Sequence, residues 1–599
     1  MIFMDYKNLG VKIGLEIHQQ LDSGTKLFCN CPIMRSEELP EEIKRRLRAV
    51  AGETGKIDIA AVHEQIRNKL FVYRYNTESS CLLELDEQPP VGPNSKALEI
   101  IMQACKLLNC SIVDELHFMR KTVIDGSAVS GFQRTGLVGY NGLLKTSLGN
   151  VSISTVMLEE DSSAPLTRNV EFVEYRLDRL GIPLVEISTD ASIQSPKHAQ
   201  ETAETIGLLL RSLPVIRGIG SIRQDINVSI AQGARVEIKG FQELEKISDA
   251  VDNEIKRQVA LIEVKKDLEK RGFKQVKVEY KDVTDIFKNT KMFVLSKAIA
   301  SGGKILAAKL PKFKGLLKKE MGDRTLGKEL STYADMYGYG IIHSEEEEKF
   351  NLHYEFNMLK KELKAGEEDD IFISAGKDPV LAVQSVLNRA NYCIIGVPEE
   401  TRTADGIGSK YMRPLPGSGR LYPESDIQPI FLADIVGKIK VPKTLLEKKK
   451  EMKLPEELAD QMIKSRHLKW YEELSHYGEV LVANTLLNIF KDLSRRGLEI
   501  GKIKREDLGH VFVEIKNKKI SKDSVPLILE QYLMTGKDVR NVVKDFYMLT
   551  DKELKDNIKI IVSRNPSATE NALMGLAMKS LRGRADGEKI AKLIRDMKK

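Results

Sequence analysis

Cysteine is scarce in this chain, with six residues among 599. So few over such a length do not make a disulfide framework, which excludes the small cross-linked scaffolds of the secreted world. No apolar run is long enough to predict a bilayer span. The opening MIFMDYKNLG lacks the basic-then-apolar layout of a secretion signal, so a cytoplasmic location is expected. No G-x-x-x-x-G-K-[ST] run occurs, which disfavours a P-loop enzyme. Internal repeats and long low-complexity tracts are missing as well. What remains is a globular composition, 42% hydrophobic and 30% charged, in a chain long enough for three or more domains. The net charge of +7 permits a nucleic-acid partner without requiring one.

Alternating apolar and polar residues predict strands at 11–21, 70–75, 151–157 and 222–239. Helical periodicity covers 95–109, 196–212 and about 246–270. From about 282 to 405 the texture changes to a Gly- and Lys-rich segment, an acidic run and a short apolar run, the marks of an inserted module. RPLPGSGRLYPESDIQPI (413–430) has linker composition, yet it crowds Arg413, Arg420, Tyr422, Glu424 and Asp426 together. Beyond about 436 the pattern is helical. Its basic clusters, KTLLEKKKEMK and the final KSLRGRADGEKIAKLIRDMKK, fit either solvated helix faces or RNA contact.

Four segments put acids on strands or at their ends. In VKIGLEIHQQL, Val11, Ile13, Leu15 and Ile17 share one face, while Glu16 and His18 share the other. NVSISTVMLEED ends in Glu159, Glu160 and Asp161. RLGIPLVEIS sets Glu186 in an apolar run, where a carboxylate is costly unless paired or metal-bound. SIRQDINVSIAQGARVEIKGF reads as a hairpin turning near Gly233. Its polar face carries Arg223, Asp225, Asn227 and Ser229, then Arg235, Glu237 and Lys239. Such faces suit a solvated sheet, and they equally suit a concave sheet that binds Mg²⁺ and nucleotide. Mg²⁺ takes hard oxygen ligands, and phosphoryl transfer needs positioned cations. Arg223, Lys239, Arg120, Lys121 and Arg179 are the candidates for that role.

GLEIHQQLDSGTKLFCNCP, MLEEDSS, RLGIPLVEIS, RQDINVSI, VEIKGF, RLYPESDIQP and MGLAMKSLRGRAD resemble, in order, the motifs of the GatB/GatE family. These are the catalytic subunits of tRNA-dependent amidotransferases, and the resemblance runs along nearly the whole chain. DVTDIFKNT through ISAGKDPVLAVQSVLNRANYCIIGVPEETRTA resembles the GAD module of bacterial-type aspartyl-tRNA synthetases, which marks the archaeal branch of the family. The resemblance implies an α+β fold. A glutamine-synthetase-like catalytic cradle would cover 1–281 and continue at 406–435, with an α/β GAD module inserted at 282–405. A helical domain at 436–530 and a YqeY-like tail at 531–599 would follow.

The reaction implied uses ATP and Mg²⁺ to phosphorylate the γ-carboxylate of Glu carried on tRNA(Gln). Ammonia from a GatD-like, asparaginase-type amidase partner then displaces phosphate to give Gln-tRNA(Gln). Two copies of each chain are expected, with no membrane partner. By similarity His18, Glu160 and Glu186 would ligate Mg²⁺, with the adjacent Glu159 the alternative to Glu160, and Glu16 and Asp225 completing or flanking the cluster. Glu16, Lys239 and Arg223 are the catalytic candidates, and Arg179, Arg120 and Lys121 would contact phosphate or carboxylate.

Many members of the family carry C-x-C followed by C-x-x-C, a four-sulfur zinc site. Here Cys29 and Cys31 form the first pair, but Cys81 alone stands for the second. Structural zinc takes four ligands, so buried thiols are expected here rather than zinc, the alternative being three sulfurs completed by His63. Two other readings compete. One is a non-catalytic tRNA-binding scaffold, which would have no need of converging acids. The other is an aminoacyl-tRNA synthetase, for which no HIGH- or KMSKS-like signature is present.

Overall fold

The computed structural model describes residues 5–46, 48, 57, 59–66, 68–169, 171–415 and 421–598. Arg420 and the side chain of His63 lie outside the described residues. The chain forms two compact units, Met1–Pro442 and Lys443–Lys599.

Period-2 sequence becomes one eleven-stranded sheet in the first unit. Its strands are β1 (Lys12–Gln20), β2 (Ser111–Ile112), β3 (Phe118–Thr122), β4 (Phe132–Thr146), β5 (Gly149–Glu160) and β6 (Pro183–Thr189). They continue as β7 (Ile222–Ser229), β8 (Val236–Phe241), β9 (Glu400–Asp405), β10 (Gly408–Pro414) and β11 (Leu421–Pro423). The order across the sheet is β10-β9-β8-β7-β1-β6-β5-β4-β3-β11, with β2 paired to β4. Every pairing is antiparallel except β8 with β9. Ile13, Leu15 and Ile17 of β1, Val185 and Ile187 of β6, and Ile226 and Val228 of β7 are buried in the main core.

Among the helices that contribute to that core are α1 (Ser95–Leu107), α2 (Pro196–Leu210) and α3 (Ile247–Lys270), with two more, Leu326–Asp335 and Val380–Tyr392, from the insertion. Asn94 and Ser195 start the first two by accepting from the N–H groups of Ala97 and His198. The β7–β8 hairpin turns at Gly233, where an added Cβ would lie 2.1 Å from Gln258 Oε1 on α3. Glycine is needed there for close helix–turn approach.

The insertion forms a four-stranded sheet in the order Lys281–Asp282, Lys304–Leu310, Asp370–Gly376, Ile342–His343. One face, with Ile305, Ala307, Ile371 and Ile373, has a separate core with Phe287, Leu295 and Phe356. The other, with Leu306, Ala308 and Phe372, merges into the main core. The chain is back in the large sheet at Glu400, ahead of the boundary read between 405 and 406. Val236 pairs with Glu400, and Lys239 with Thr403. β9 (ETRTAD) hides this from a hydrophobicity reading because ion pairs bury it. Arg402 Nη1 and Nη2 each lie 2.8 Å from Glu329, Arg402 Nη1 is 2.5 Å from Glu400, and Arg257 Nη1 is 2.8 Å from Glu329. All four residues are buried.

The second unit is helical from Leu445–Glu451 to Gly587–Lys598. Its last three helices share a core of Leu554, Ile558, Leu573, Leu581, Ile590 and Ile594. In the basic cluster that opens this unit, Lys443, Lys448 and Lys449 pair with Glu451, Glu472 and Asp460. Among the described residues, no helix is long and apolar enough to cross a membrane.

Candidate active site

The polar face of β1 is not a solvated face. His18 is opposite Glu186 on β6 and opposite Arg223 on β7, and Glu16 is opposite Asp225. Asn227 is opposite Glu237 on β8. Strand alternation therefore gathers these groups on one side of the sheet. They line a cavity of about 640 Å³.

Two groups of donors form its chemistry. In the first, one donor atom from each of His18, Glu159 and Glu186 lies within 4.8 Å of the others. Glu186 Oε2 is 3.1 Å from His18 Nε2 and accepts from Lys121 Nζ at 2.8 Å. Glu159 accepts from Lys121 at 3.0 Å, Thr135 Oγ1 at 2.8 Å and Gln133 Nε2 at 3.0 Å. In the second, Glu16, Asp225 and Glu237 are grouped in the same way. Lys239 Nζ is 2.8 Å from Asp225 and 2.6 Å from Glu237, the Gly240 N–H donates to Asp225, and Asn227 donates to Glu16.

Burial and Glu186 raise Glu159 above the usual carboxylate range, and the same two causes raise Glu16. Burial also opposes ionisation of Glu186, but Lys121 and His18 outweigh it and hold Glu186 well below that range. Burial is likewise overcome at Asp225, which Lys239 and His18 hold at about 2. Lys121 and Lys239 are pushed up by their carboxylates despite burial, so both stay charged. Five carboxylates face two ammonium groups, and His18 Nδ1 is buried without a hydrogen-bond partner among the described residues. A hard divalent cation fits that set of oxygen and imidazole donors.

On β10, Arg413 lines the same cavity. It is buried, and its Nε and Nη1 have no hydrogen-bond partner among the described residues. Nearby, the loop around Asp125 is fixed from behind. Tyr73 Oη donates to the Gly126 carbonyl at 2.6 Å, and Tyr175 Oη to the Asp125 carbonyl at 2.9 Å.

The sequence candidates divide. Glu16, His18, Glu186, Arg223, Asp225, Lys239 and Lys121 line the cavity. Glu160 does not join them. It accepts from the Arg134 N–H at 2.9 Å and from Arg134 Nη1 at 3.2 Å. Arg179 forms a two-bonded pair with Asp161, at 2.8 and 3.0 Å, and Arg223 reaches the same carboxylate at 3.3 Å. Arg120 forms a two-bonded pair with Glu424, at 2.7 Å in both bonds. Neither Arg120 nor Arg179 is among the lining residues. Glu159, Glu237 and Arg413 are site residues that the sequence assignment passed over. Period-2 spacing from Asp225 across the hairpin already pointed to Glu237.

Cys29, Cys31 and Cys81 come together with Glu84. Glu84 is already matched by Lys26, fully buried with its Nζ 3.0 Å away, and accepts from Cys29 Sγ at 3.2 Å. Burial pushes the Cys29 thiol far up and Cys81 up to about 11. Three sulfurs and one carboxylate thus come together, with the Lys26 ammonium already balancing the carboxylate.

A family model described as the GatB/GatE catalytic domain matches residues 11–437, and one described as the GatB domain matches residues 469–597. The E subunit of the glutamyl-tRNA(Gln) amidotransferase of Pyrococcus horikoshii is 41% identical over 592 residues, covering 95% of this chain and 93% of that protein. The protein of the same name from Methanocaldococcus jannaschii is 39% identical over 624 residues, covering 99% of both. That of Thermococcus gammatolerans is 40% identical over 620 residues, covering 99% of this chain and 98% of that protein.

Proposed function

The chain belongs to the GatB/GatE family, and from that premise we propose that it works as the E subunit of a glutamyl-tRNA(Gln) amidotransferase, with the cavity as its activation and amidation site. The observation that carries the reading is the cavity itself, where two buried carboxylate groups are interleaved with lysines beside an arginine with free N–H groups.

A carboxylate is a poor acyl donor because oxide is a poor leaving group. The γ-carboxylate oxygen of tRNA-bound Glu attacks the γ-phosphorus of ATP, and the bond to the β–γ bridging oxygen breaks, releasing ADP. Ammonia then attacks the carbonyl carbon of the γ-glutamyl phosphate, the bond from that carbon to the phosphate oxygen breaks, and phosphate leaves. His18, Glu159 and Glu186 are the residues that would hold Mg²⁺, with Asp225 and Glu237 as further donors and Glu16 beside them left free. When bound, the metal neutralises phosphate charge during transfer. Arg413 offers its unpartnered N–H groups to phosphate, and Lys121, Lys239 and Arg223 supply fixed positive charge with little reorganisation. Arg179 acts one step back, by orienting Asp161 and through it Arg223. Glu16, whose affinity for protons is raised by burial and Glu186, accepts the proton of the attacking ammonia.

Ammonia is supplied by an asparaginase-type amidase partner, in an assembly with two copies of each chain. The inserted segment, read as a GAD module, and the helical unit carry the tRNA contacts. The paired lysines of 443–449 exchange surface acids for phosphate at little cost. Aminoacyl-tRNA as substrate carries a cytoplasmic location with it.

The test is γ-phosphate transfer from labelled ATP to Glu-tRNA(Gln) by the complex, with amide donor withheld. Wild type transfers, while Glu186→Gln binds tRNA and does not. Wild type that binds tRNA but turns over no ATP would leave the scaffold reading in its place.

A further inference from the structure

Outside the cavity, the inserted sheet holds a second cluster of donors. Its edge strand Ile342–His343 pairs with Asp370–Gly376, His343 being opposite Phe372. The turn Ser344–Glu346 follows directly. This brings one donor atom each from His343, Glu345 and Asp370 within 4.8 Å of one another. His343 is 3% exposed and Asp370 is 1% exposed. His343 Nδ1 and Asp370 Oδ2 are buried without a hydrogen-bond partner among the described residues. We propose that His343, Glu345 and Asp370 form a binding site for a divalent transition-metal ion in the inserted module.

Two buried polar atoms of the cluster lack a partner among the described residues. Asp370 Oδ1 is satisfied by the Ser344 hydroxyl and by the Ile371 N–H at 2.8 Å, which leaves Oδ2 over. Glu345 is oriented by the N–H groups of Gly315 and Lys318. His343 Nε2 is 3.4 Å from Glu346 Oε2. A carboxylate beside Nε2 favours the tautomer with its proton there, and that leaves the Nδ1 lone pair for a ligand. With both carboxylates ionised beside a neutral imidazole the cluster carries two negative charges, which a divalent ion displacing the Asp370 proton cancels.

Burial and then the Glu345 charge push Asp370 up to about 8, and burial pushes His343 down. The ring thus stays neutral, and Asp370 keeps a proton towards Glu345 that an entering cation would displace. Lys318, Lys349 and Lys360 act on it only through space. One nitrogen and carboxylate oxygens suit Zn²⁺, whose bonds to both are about 2.0–2.2 Å. Small side-chain shifts reach that distance from the present spacing. A bound ion would fasten the edge strand and, through Glu345, the 315–318 loop to the start of the neighbouring strand.

The experiment uses the full chain in complex with its amidase partner, loaded with Zn²⁺ and freed of excess by gel filtration. Bound zinc is measured for wild type, Asp370→Asn and His343→Gln. Other metal sites contribute equally to all three, so the difference is the readout. Each variant is expected to hold one equivalent less than wild type and to lose the zinc-dependent rise in Tm. Equal zinc content with equal Tm response in all three overturns the site. Should the variants fail to fold, anomalous scattering at the zinc edge from crystals of the wild-type complex decides. A peak between the three side chains supports the proposal, and none there overturns it. Amidotransfer plays no part in the readout, so failure here leaves the cavity assignment untouched.

Discussion

Glu159 and Glu160 are consecutive in the chain and serve opposite faces of one strand. Glu159 accepts from Lys121 and Thr135 on the cavity side, whereas Glu160 accepts from the main chain and guanidinium of Arg134. Their substitutions should therefore separate function from stability. Glu159→Gln is expected to lower ATP-dependent activation by about 10²-fold or more with Tm little changed. Glu160→Ala strips the buried Arg134 of a partner and should cost about 3–5 kcal/mol. Parallel phosphoryl-transfer and thermal-denaturation measurements check both.

Arg413 should behave as a phosphate-binding group. Arg413→Ala is expected to reduce phosphoryl transfer by about 10²–10³-fold. Lysine at that position should restore only part, because it lacks the planar two-pronged donor. Stability should fall modestly, since the Asp125 carboxylate loses the charge that favours its ionised form. Steady-state kinetics in ATP, with a melting curve for each variant, provides the comparison.

Asp225 gives the first unit a pH dependence. Its value of about 2 in the fold lies below the ordinary 3.8. The stabilisation is therefore complete above about pH 4 and is lost as pH falls through 2. It is worth roughly 2 kcal/mol. Glu16 and Glu159 act in the opposite sense, because their raised values mean that proton uptake relieves the fold as pH drops. Melting temperatures of wild type and Asp225→Asn should differ most at neutral pH and converge towards about pH 2.

Glu329 joins Arg257 and Arg402 at full burial. Glu329→Ala leaves both guanidinium groups short of a partner and should destabilise the first unit by about 3–5 kcal/mol. Equilibrium denaturation monitored by far-UV circular dichroism tests this. A loss under about 1 kcal/mol would mean that water or rearrangement compensates.

The strand faces that carry the site were legible because alternation is local. Glu16 and His18, and Arg223 with Asp225, follow from counting by two. The choice between Glu159 and Glu160 was not legible, for a definite reason. Val151 and Ile153 are buried, and so are Val156 and Leu158, so the inward-facing positions change from odd to even. The register shift responsible places Ser188 opposite Thr155 and Thr189 opposite Ile153, leaving Ser154 as the extra residue of a bulge. Alternation counted forward from Val151 assigns Glu160 to the cavity, and one inserted residue reverses it.

Other misses have other causes. β4 escaped notice because Gly136, Gly139 and Gly142 interrupt its pattern. At Gly139 a Cβ would lie 2.6 Å from Cys105 Sγ on α1, so packing against the helix demands the residue that weakens the strand signal. β9 escaped because charge, not hydrocarbon, buries it. Arg120 and Arg179 were plausible phosphate ligands by type alone. Their commitment to Glu424 and Asp161 depends on residues placed beside them only by the fold.

The parallel pairing of β8 with β9 has a consequence for how this architecture tolerates change. Neighbouring parallel strands cannot be joined by a tight turn and require a crossover. Here α3 and the whole inserted sheet serve as that crossover. The entropy of closing a connection grows only slowly with its length. A domain lodged at this point therefore adds little closure cost to the sheet, and the sheet needs some excursion there in any case. A different module between the same two strands would keep the register of the cavity strands only if it also supplied a carboxylate in place of Glu329 and an apolar face in place of Leu306, Ala308 and Phe372. On those terms the position is a natural socket, at which recognition parts are exchangeable while the chemistry stays fixed.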